Sequence, residues 1–464
     1  MLYINEQKIN GLLHSAAPVR GPELDTILAK ARGLGRLSLE ETALLLRVTQ
    51  KEQLAQLFSA AAYVKDRIYG RRVVLFAPLY ISNICDNACL YCAFKSDNPL
   101  IKRKALTPQE IKEQVAWLLG RGHKRILAVA GESGLHNRPA IDFYVESIRA
   151  IYSVSVRGNR IRRVNMNCAP LSIKEFKQLK DAGIGTYQLF QETYHEPTYR
   201  QVHPRGPKSD PDNRLEAAGR AFKAGIDDIG MGVLYGLYDW RFETLALLMH
   251  IEYLEKTFGL GPHTISVPRV EPALGVEFTD EMPYRVRDED FKKLVAVLRL
   301  SVPYTGLILS TRETPSLRDE LFSLGVSQVS AESRTSPGGY SSCGSRPGDA
   351  DGQFFLGDQR SLDEVIASLL EKNFIPSFCA ACYRKERTGE KFMRLARPGT
   401  IKGKCQINAL VTLKEYLDDF ASDGVRRQGY SLIRSLKGSL NAESRSVLAR
   451  MFADIDQGVR DEYV

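Results

Sequence analysis

Eight short apolar runs, separated by stretches with helical signals, constrain the fold of this chain more than any other feature. The helical stretches open with recognisable start signals, such as Thr107 with Glu110 and Ser172 with Glu175. Strands that alternate with helices predict a parallel sheet, and eight strands are the number that closes a (β/α)8 barrel. We therefore predict an α/β fold with a TIM-type barrel, whose strands are V-V-L-F-A, I-L-A-V-A, R-V-N-M-N, T-Y-Q-L-F, I-G-M-G-V-L, T-I-S-V-P, G-L-I-L-S and S-Q-V-S-A.

The segments on either side of these runs have a different character. Residues 23–69 carry apolar residues at helical spacing, with Ser38 and Glu41 forming a capping box. A stretch rich in glycine, serine and proline, residues 336–353, marks the end of the barrel, and helical patterns follow it. We predict an N-terminal helical segment (1–70), a barrel (71–345) and a mainly helical C-terminal domain (346–464).

A first cysteine triad follows the first predicted strand. The segment N-I-C-D-N-A-C-L-Y-C-A-F places Cys85, Cys89 and Cys92 in a C-x3-C-x2-C pattern. Three thiolates can hold three irons of a cubane and leave the fourth iron open for another ligand. The carboxyl ends of the strands form the rim where barrel enzymes build their active sites, so this triad is a candidate catalytic centre.

The triad, with Tyr91 before its last cysteine, resembles that of the radical S-adenosylmethionine (SAM) superfamily. The resemblance implies a [4Fe–4S] cluster whose open iron binds the amino and carboxylate groups of SAM, and a 5′-deoxyadenosyl radical as the reactive species. The second strand ends in A-G-E where the superfamily has G-G-E, so its first glycine is an alanine here. By resemblance, the cofactor-binding residues are Tyr91, Ala130, Gly131, Glu132, Asn165, Asn167, Gln191, Glu192 and Arg214.

A second cysteine triad near the end of the chain narrows the resemblance. Cys379 and Cys382 lie in S-F-C-A-A-C-Y-R, and Cys405 follows after twenty-two residues. With F-C-A-A-C-Y-R-K-E-R-T-G-E and K-G-K-C-Q-I-N-A-L, the chain resembles the tyrosine lyases of [FeFe]-hydrogenase maturation, the HydG family. The resemblance runs over nearly the whole chain and includes G-P-H-T-I-S-V-P-R and L-G-D-Q-R-S-L-D-E-V-I.

The family resemblance implies a reaction in two stages. The radical abstracts hydrogen from the amino group of L-tyrosine, and the Cα–Cβ bond breaks to give p-cresol and dehydroglycine. The second cluster, held by Cys379, Cys382 and Cys405, then completes the conversion to carbon monoxide and cyanide on an additional iron. That iron is bound through free L-cysteine and His263, and the product is a precursor of the hydrogenase H-cluster. The implied partners are a reduced donor such as ferredoxin or flavodoxin and the other hydrogenase maturation proteins.

A candidate substrate site ends the seventh predicted strand. Ser310 and Thr311 offer hydroxyl groups, and the Arg312 guanidinium suits the carboxylate of tyrosine. A helix N-cap formed by Ser310 or Thr311 is the alternative interpretation. The alternative interpretation of His263 is a purely structural role, because a lone histidine before a strand is often not a metal ligand.

Other functions stay open at this stage. A thiamine-pathway tyrosine lyase or a tryptophan lyase would share the barrel chemistry, but those families lack the second triad. An iron–sulfur scaffold would not need the A-G-E segment, and a zinc site would require His263 to complete three thiolates. The net charge is +9, but no basic stretch is interleaved with regular aromatic residues as in nucleic-acid-binding proteins. The chain also has no run of eighteen apolar residues and no signal sequence. We therefore expect a cytoplasmic protein without membrane or nucleic-acid partners, with Cys168 as a buried residue and no role for Cys343.

Overall fold

The computed structural model describes residues 1–14, 19–133, 140–278, 282–341 and 351–464. Its centre is a closed barrel of eight parallel strands, because the first strand pairs with both the second and the last. All eight predicted strands are confirmed, and so is the TIM-type fold. The barrel strands are β1 (Arg72–Ser82), β2 (Arg125–Ala130), β5 (Arg163–Asn167), β6 (Tyr187–Gln188), β7 (Ile229–Gly232), β8 (Thr264–Ser266), β9 (Gly306–Leu309) and β10 (Val326–Ser330).

The interior of the barrel is more polar than such interiors usually are. Branched apolar side chains normally fill a TIM barrel, whereas Gln188, Ser266 and Ser330 point into the space that continues from the upper rim. Gln188 Nε2 donates to Ser266 Oγ across the interior at 2.7 Å. The core of this barrel is therefore built partly from hydrogen bonds, and polar groups lie between its two ends.

Helices surround the barrel, and serine or threonine caps fix where several of them begin. The predicted capping boxes at Ser38, Thr107 and Ser172 are all present, and Ser361 forms another with Glu364. The helices are α1 (Glu6–Leu13), α2 (Gly21–Arg32), α3 (Leu39–Arg47), α4 (Lys51–Tyr69), α5 (Pro108–Gly120), α6 (Ala140–Ser153), α7 (Ile173–Asp181), α8 (Glu196–Val202), α9 (Pro211–Leu215), α10 (Ala217–Lys223), α11 (Trp240–Phe258), α12 (Asp288–Ser301), α13 (Pro315–Leu324), α14 (Leu362–Glu371), α15 (Ala381–Arg384), α16 (Gly389–Ala396), α17 (Ile401–Asp419), α18 (Asp423–Gly438) and α19 (Ala442–Asp456).

The C-terminal part of the chain contributes a ninth strand to the barrel sheet. Strand β11 (Ile375–Ser377) pairs in parallel with Arg72–Val74, at the amino end of β1. Helix α17 packs against both of these strands. A small separate hairpin is formed by β3 (Ser155–Val156) and β4 (Asn159–Arg160). The division of the chain into three parts stays a prediction.

No helix in the described ranges combines the length and the apolar character that crossing a bilayer requires. Cys168 is buried, as expected, and Cys343 lies outside the described residues.

Candidate active site and second cysteine site

The first triad lies at the upper rim of the barrel, in the loop after β1. Cys85, Cys89 and Cys92 line the cavity that opens there. The A-G-E segment packs against this loop, and a Cβ on Gly131 would lie 2.2 Å from the Ile84 carbonyl oxygen. Glycine is therefore required at position 131 for the two loops to approach, which brings Glu132 beside the triad.

Asn87 links the cysteine loop to the A-G-E segment. Its Nδ2 lies 3.1 Å from Glu132 Oε2 and 3.6 Å from Cys85 Sγ. Burial raises the pKa of the Cys89 thiol to about 12 and also raises the pKa of Cys92. The Cys89 and Cys92 thiols therefore hold their protons until a metal displaces them, and loading the triad releases those protons.

A buried arginine lies between two carboxylates of the same cavity. Arg214 Nη1 is 3.5 Å from Glu132 Oε2, and Arg214 Nη2 is 3.6 Å from Glu192 Oε1. Lys208 Nζ also contacts Glu192 Oε1, at 2.6 Å. Arg214 Nη1 is buried without a hydrogen-bond acceptor among the described residues. A guanidinium N–H that lies beside carboxylates but lacks a hydrogen-bond acceptor fits a ligand that carries both an ammonium and a carboxylate group, as SAM does.

Glu192 has an unusual backbone conformation, and the buried carboxyl group of Glu243 holds the residues that follow it. Its φ is 73°, in the left-handed region that non-glycine residues occupy only when their surroundings hold them there. Glu243, on α11, is fully buried and hydrogen-bonds to the Thr193 hydroxyl and to the Tyr194 backbone N–H, the latter at 2.8 Å. The residues directly after Glu192 are therefore anchored to α11.

Glu243 provides a pH test of this anchoring. Burial raises the pKa of Glu243 to about 8, against the lowering effect of the Thr193 and Tyr194 hydrogen bonds. Between about pH 4.5 and about pH 8 the unfolded chain loses this proton while the folded chain keeps it. The stabilising contribution is therefore complete at low pH and disappears as the pH rises through that window. We expect the advantage of wild type over Glu243→Gln in free energy of unfolding to fall by about 1.4 kcal/mol per pH unit there.

Denaturant unfolding of both proteins at about pH 5 and about pH 8 measures that difference, and the other titrating groups cancel in the comparison. Parallel pH profiles for the two proteins would contradict the buried, protonated Glu243.

The predicted substrate residues lie on the other side of the cavity. Ser310, Thr311 and Arg312 all line it, and the Arg312 guanidinium lies 3.4 Å from the centre of the Phe354 ring. Burial lowers the pKa of Arg312, and no carboxylate lies within 4 Å of it in the part of the chain that the structure describes. Arg312 is thus available to an incoming carboxylate. Neither Ser310 nor Thr311 caps a helix, because α13 is capped by Thr314.

The structure brings most of the predicted cofactor residues together, with two exceptions. Tyr91, Ala130, Gly131, Glu132, Asn167, Glu192 and Arg214 line the cavity. Asn165 instead accepts a hydrogen bond from Arg163 Nε at 2.9 Å, nearer the lower end of the barrel. Gln191 donates to the Pro211 carbonyl at 3.1 Å. The side chains of these two residues are engaged away from the cavity, and the roles of all the predicted residues stay predictions.

Three residues of this cavity have no sequence signal of the kind that identified the others. Asn87 lies in a loop and Lys208 in a short 3₁₀ helix (Pro207–Ser209), and Lys208 N donates to Asn87 Oδ1 at 2.7 Å. Gln353 accepts from the Tyr80 hydroxyl at 2.8 Å and places its Nε2 3.7 Å from Cys92 Sγ. The basic side chain of Lys208 next to the cysteines could have suggested a site only once the loop geometry was known.

The second triad lies at the opposite, lower end of the barrel. Cys379 follows β11, Cys382 lies on α15 and Cys405 on α17. Arg125, the first residue of β2, donates to the Cys379 carbonyl at 2.6 Å and so ties this segment to the barrel floor. Burial raises the pKa of Cys405 to about 12 and also raises that of Cys379.

His263 occupies the same end of the barrel, directly before β8. Its ring packs against Phe392 of α16 at 4.1 Å between centroids, and its Nδ1 is 3.7 Å from Asp228 Oδ2. Burial lowers the pKa of His263 to about 4, although Asp228 opposes the shift, so the imidazole is neutral at neutral pH. A neutral imidazole with a carboxylate behind one nitrogen is an arrangement typical of metal-binding histidines.

Hydrogen-bond donors without acceptors surround the second triad. Arg72 Nε, Arg125 Nε, Arg387 Nε and the Tyr463 hydroxyl are all buried and unpaired in the described part of the chain. Tyr463 packs against Cys379, and the Arg72 and Arg387 side chains interact electrostatically with Cys405. Sulfides and thiolates of an iron–sulfur cluster accept hydrogen bonds, so these donors fit such a cluster.

Neither triad has the arrangement of a single-ion site. Within the described ranges, no three Cys, His, Asp or Glu side chains converge on one point as ligands of one metal ion do. In a cubane each thiolate binds a different iron, so a cluster needs no such convergence. All the cysteines in the described residues are free of disulfide bonds. The donor sets therefore favour clusters over a zinc ion.

Comparisons with known proteins agree with this geometry. A model of the radical SAM superfamily matches residues 79–249, and one of the biotin and thiamin synthesis associated domain matches residues 266–375. A crystal structure of HydG, a maturase of the [FeFe]-hydrogenase, is 45% identical and covers 100% of both chains with a TM-score of 0.95. The HydG structure from Carboxydothermus hydrogenoformans is 41% identical, with 96% and 97% coverage and a TM-score of 0.83. The 2-iminoacetate synthase of Escherichia coli (strain K12) is 33% identical over 350 residues, 75% of this chain and 88% of that protein.

The barrel, the cysteine loop on its upper rim and the superfamily match define a radical SAM enzyme. Such an enzyme uses SAM together with an iron–sulfur cluster. Within that superfamily, the chain belongs to the HydG family.

Proposed function

We propose that this protein is a radical SAM L-tyrosine lyase that forms carbon monoxide and cyanide for the assembly of the [FeFe]-hydrogenase H-cluster. Tyrosine is cleaved between Cα and Cβ to p-cresol and dehydroglycine, and dehydroglycine yields carbon monoxide, hydrogen cyanide and water. The atoms balance in both steps. A reduced ferredoxin or flavodoxin supplies the electrons that SAM cleavage and p-cresol formation consume.

The observation that carries the proposal is the second cysteine triad at the floor of the barrel. A lyase that releases dehydroglycine needs only the upper site. Cys379, Cys382 and Cys405, with unpaired donors around them and His263 nearby, provide a second centre where that fragment can react. The HydG relatives, which match the whole chain, support the same conclusion.

The cluster at the upper triad would be held by Cys85, Cys89 and Cys92 and, when bound, supplies the electron that cleaves SAM reductively. The surrounding residues bind and orient. Glu132 faces the ammonium group of SAM, and the free N–H of Arg214 suits its carboxylate. Neighbouring Glu192 is left to contact the ribose hydroxyl groups.

Across the cavity, Arg312 would hold the tyrosine carboxylate. Its position against the Phe354 ring fixes the plane of the guanidinium, which favours a two-point contact with a carboxylate. Protein surrounds this space on all sides of the barrel, so the substrate reacts in a cavity with little water. Gln188 and Ser266, hydrogen-bonded to each other at 2.7 Å, place polar groups at the inner end of this cavity.

Product analysis tests the proposal. The protein, reconstituted with iron and sulfide without oxygen and then reduced, is incubated with L-tyrosine, SAM and L-cysteine. We expect p-cresol, 5′-deoxyadenosine, methionine, carbon monoxide and cyanide, with one carbon monoxide and one cyanide for each p-cresol at completion.

The 2-iminoacetate synthase relative supports a second candidate, in which the reaction ends at dehydroglycine, another name for 2-iminoacetate. Formation of p-cresol without carbon monoxide or cyanide would favour that candidate and contradict the proposed second stage.

His263→Ala separates the two stages. If His263 holds the additional iron, its removal leaves tyrosine cleavage intact, and p-cresol forms at a rate within roughly twofold of wild type because distant sites act independently. Carbon monoxide bound to iron, measured by its infrared stretching bands, should fall at least tenfold. His195→Ala is the matched control, because His195 is the N-cap residue of α8 and stacks on Tyr238. Equal losses of p-cresol and carbon monoxide in His263→Ala would contradict the ligand role.

A further inference from the structure

The floor of the barrel contains a buried positive charge without a carboxylate partner. Arg72, the first residue of β1, is 9% exposed, and its Nε has no hydrogen-bond acceptor in the described residues. No carboxylate lies within ion-pair distance of it among those residues, and its guanidinium carbon lies 5.3 Å from the centre of the Tyr69 ring. An unpaired buried charge is strongly destabilising. A guanidinium cannot escape that cost by losing its proton.

Nearby cations are placed differently. Arg299 is fully buried but donates to the carbonyls of Pro303, Thr305 and Gly325 at 2.8 Å each. Lys65 has an unpaired Nζ, and burial lowers its pKa well below the ordinary value, so it can become neutral. Unlike these two residues, Arg72 combines a fixed charge with a buried Nε that has no acceptor in the described residues.

The second triad is what Arg72 faces. Its guanidinium interacts electrostatically with Cys405, Cys379 and Cys382, and these attractions raise its pKa although burial opposes them. The backbone explains the placement. Arg72 pairs in register with Ile375 of β11, four residues before Cys379, and α17, the helix that carries Cys405, packs against the same pair of strands.

We propose that Arg72 is a positioning residue for the second cluster, a fixed cationic hydrogen-bond donor that favours the more negatively charged, reduced state. The inference rests on the proposed function, because it requires a cluster at Cys379, Cys382 and Cys405. Net charge and hydrogen bonds to sulfur set the potentials of iron–sulfur clusters. Loss of the guanidinium therefore makes the second cluster harder to reduce.

A redox titration of the full chain tests this. The Cys85→Ala background removes the first cluster, so that electron paramagnetic resonance reports the second one alone. At a fixed potential near the midpoint, Arg72→Gln is expected to lower the ratio of reduced to oxidised cluster about tenfold, a shift of about 59 mV for one electron. Arg72→Lys keeps the charge without the planar fork and should give a smaller shift in the same direction.

Arg71→Gln is the matched control. Arg71 is exposed and donates to the carbonyls of Lys372 and Asn373, so its loss changes the net charge equally without touching the triad. We expect an unchanged midpoint in this variant. Full loading of Arg72→Gln with a wild-type midpoint would overturn the inference, and so would an equal shift in Arg71→Gln. A last comparison uses the chain that keeps Cys85. If Arg72→Gln then retains the first cluster but not the second, while Arg71→Gln retains both, the positioning role is supported directly.

The outcomes separate the two proposals. A wild-type chain that assembles no cluster at the second triad would contradict the proposed function itself. A chain that assembles the cluster, with a midpoint indifferent to Arg72, would contradict only the role of this arginine.

Discussion

Cys85→Ala is expected to abolish the formation of p-cresol and of 5′-deoxyadenosine. The substitution leaves two thiolates where three are needed, and the cluster at the upper rim is lost. Carbon monoxide and cyanide then disappear as well, because the second stage receives no fragment. Chromatography of the reaction mixture measures the organic products, and the iron content should fall by about four atoms per chain, the amount in one [4Fe–4S] cluster.

The fold of the Cys85→Ala variant should remain intact. Cys85 is only partly buried, and its one described polar contact is the weak one from Asn87 Nδ2. Cys343→Ala, which removes a cysteine belonging to neither triad, controls for the general loss of a thiol. Substantial p-cresol from Cys85→Ala would mean that the first triad is not the catalytic centre.

Cys382→Ala is expected to give the opposite pattern. Tyrosine cleavage continues at the upper rim, with p-cresol within roughly twofold of wild type, because the two triads lie at opposite ends of the barrel and act independently. Carbon monoxide and cyanide should fall to the background of the assay, since the second cluster loses one of its three thiolates. Cys382 lies on the short helix α15 and is only partly buried, so its truncation leaves a small cavity at most.

The two cysteine variants are most informative together. Loss of carbon monoxide alone in both would show that the assignment of roles to the triads is wrong. Loss of p-cresol in both would show that the triads depend on each other for folding or for cluster loading.

The barrel could be predicted in full from local sequence patterns. An apolar run predicts each strand. A serine or threonine with glutamate three residues later predicts each capping box, as at Thr107 and Glu110. Strand β11 was not predicted, because three residues carry little periodicity and its pairing with β1 spans about three hundred residues of sequence. Helix α1 was not predicted either, and its N-cap is Asn5.

The residues of the candidate site could be predicted where they belong to a short continuous motif, and less well where they do not. The cysteine spacing and the A-G-E segment identify a loop and its neighbour from sequence alone. Asn165 and Gln191 are predicted cofactor residues by resemblance to the superfamily, but their side chains are engaged by Arg163 and by the Pro211 carbonyl. Tertiary packing decides which neighbour forms a hydrogen bond with an amide side chain. The same limit applies to Lys208, because its contact with Glu192 depends on the placement of a short 3₁₀ helix outside the barrel strands.

The pairing of β11 with β1 has a consequence for how the protein unfolds. The backbone groups of Arg72–Val74 are satisfied by a strand that lies three hundred residues later, and the helix carrying Cys405 is packed on that pairing. Detaching the C-terminal part would leave this edge of β1 open to pairing with other chains. The barrel and the segment that carries the second triad should therefore melt in one cooperative transition, and a chain cut before Ile375 should aggregate instead of persisting as a smaller, single-cluster enzyme.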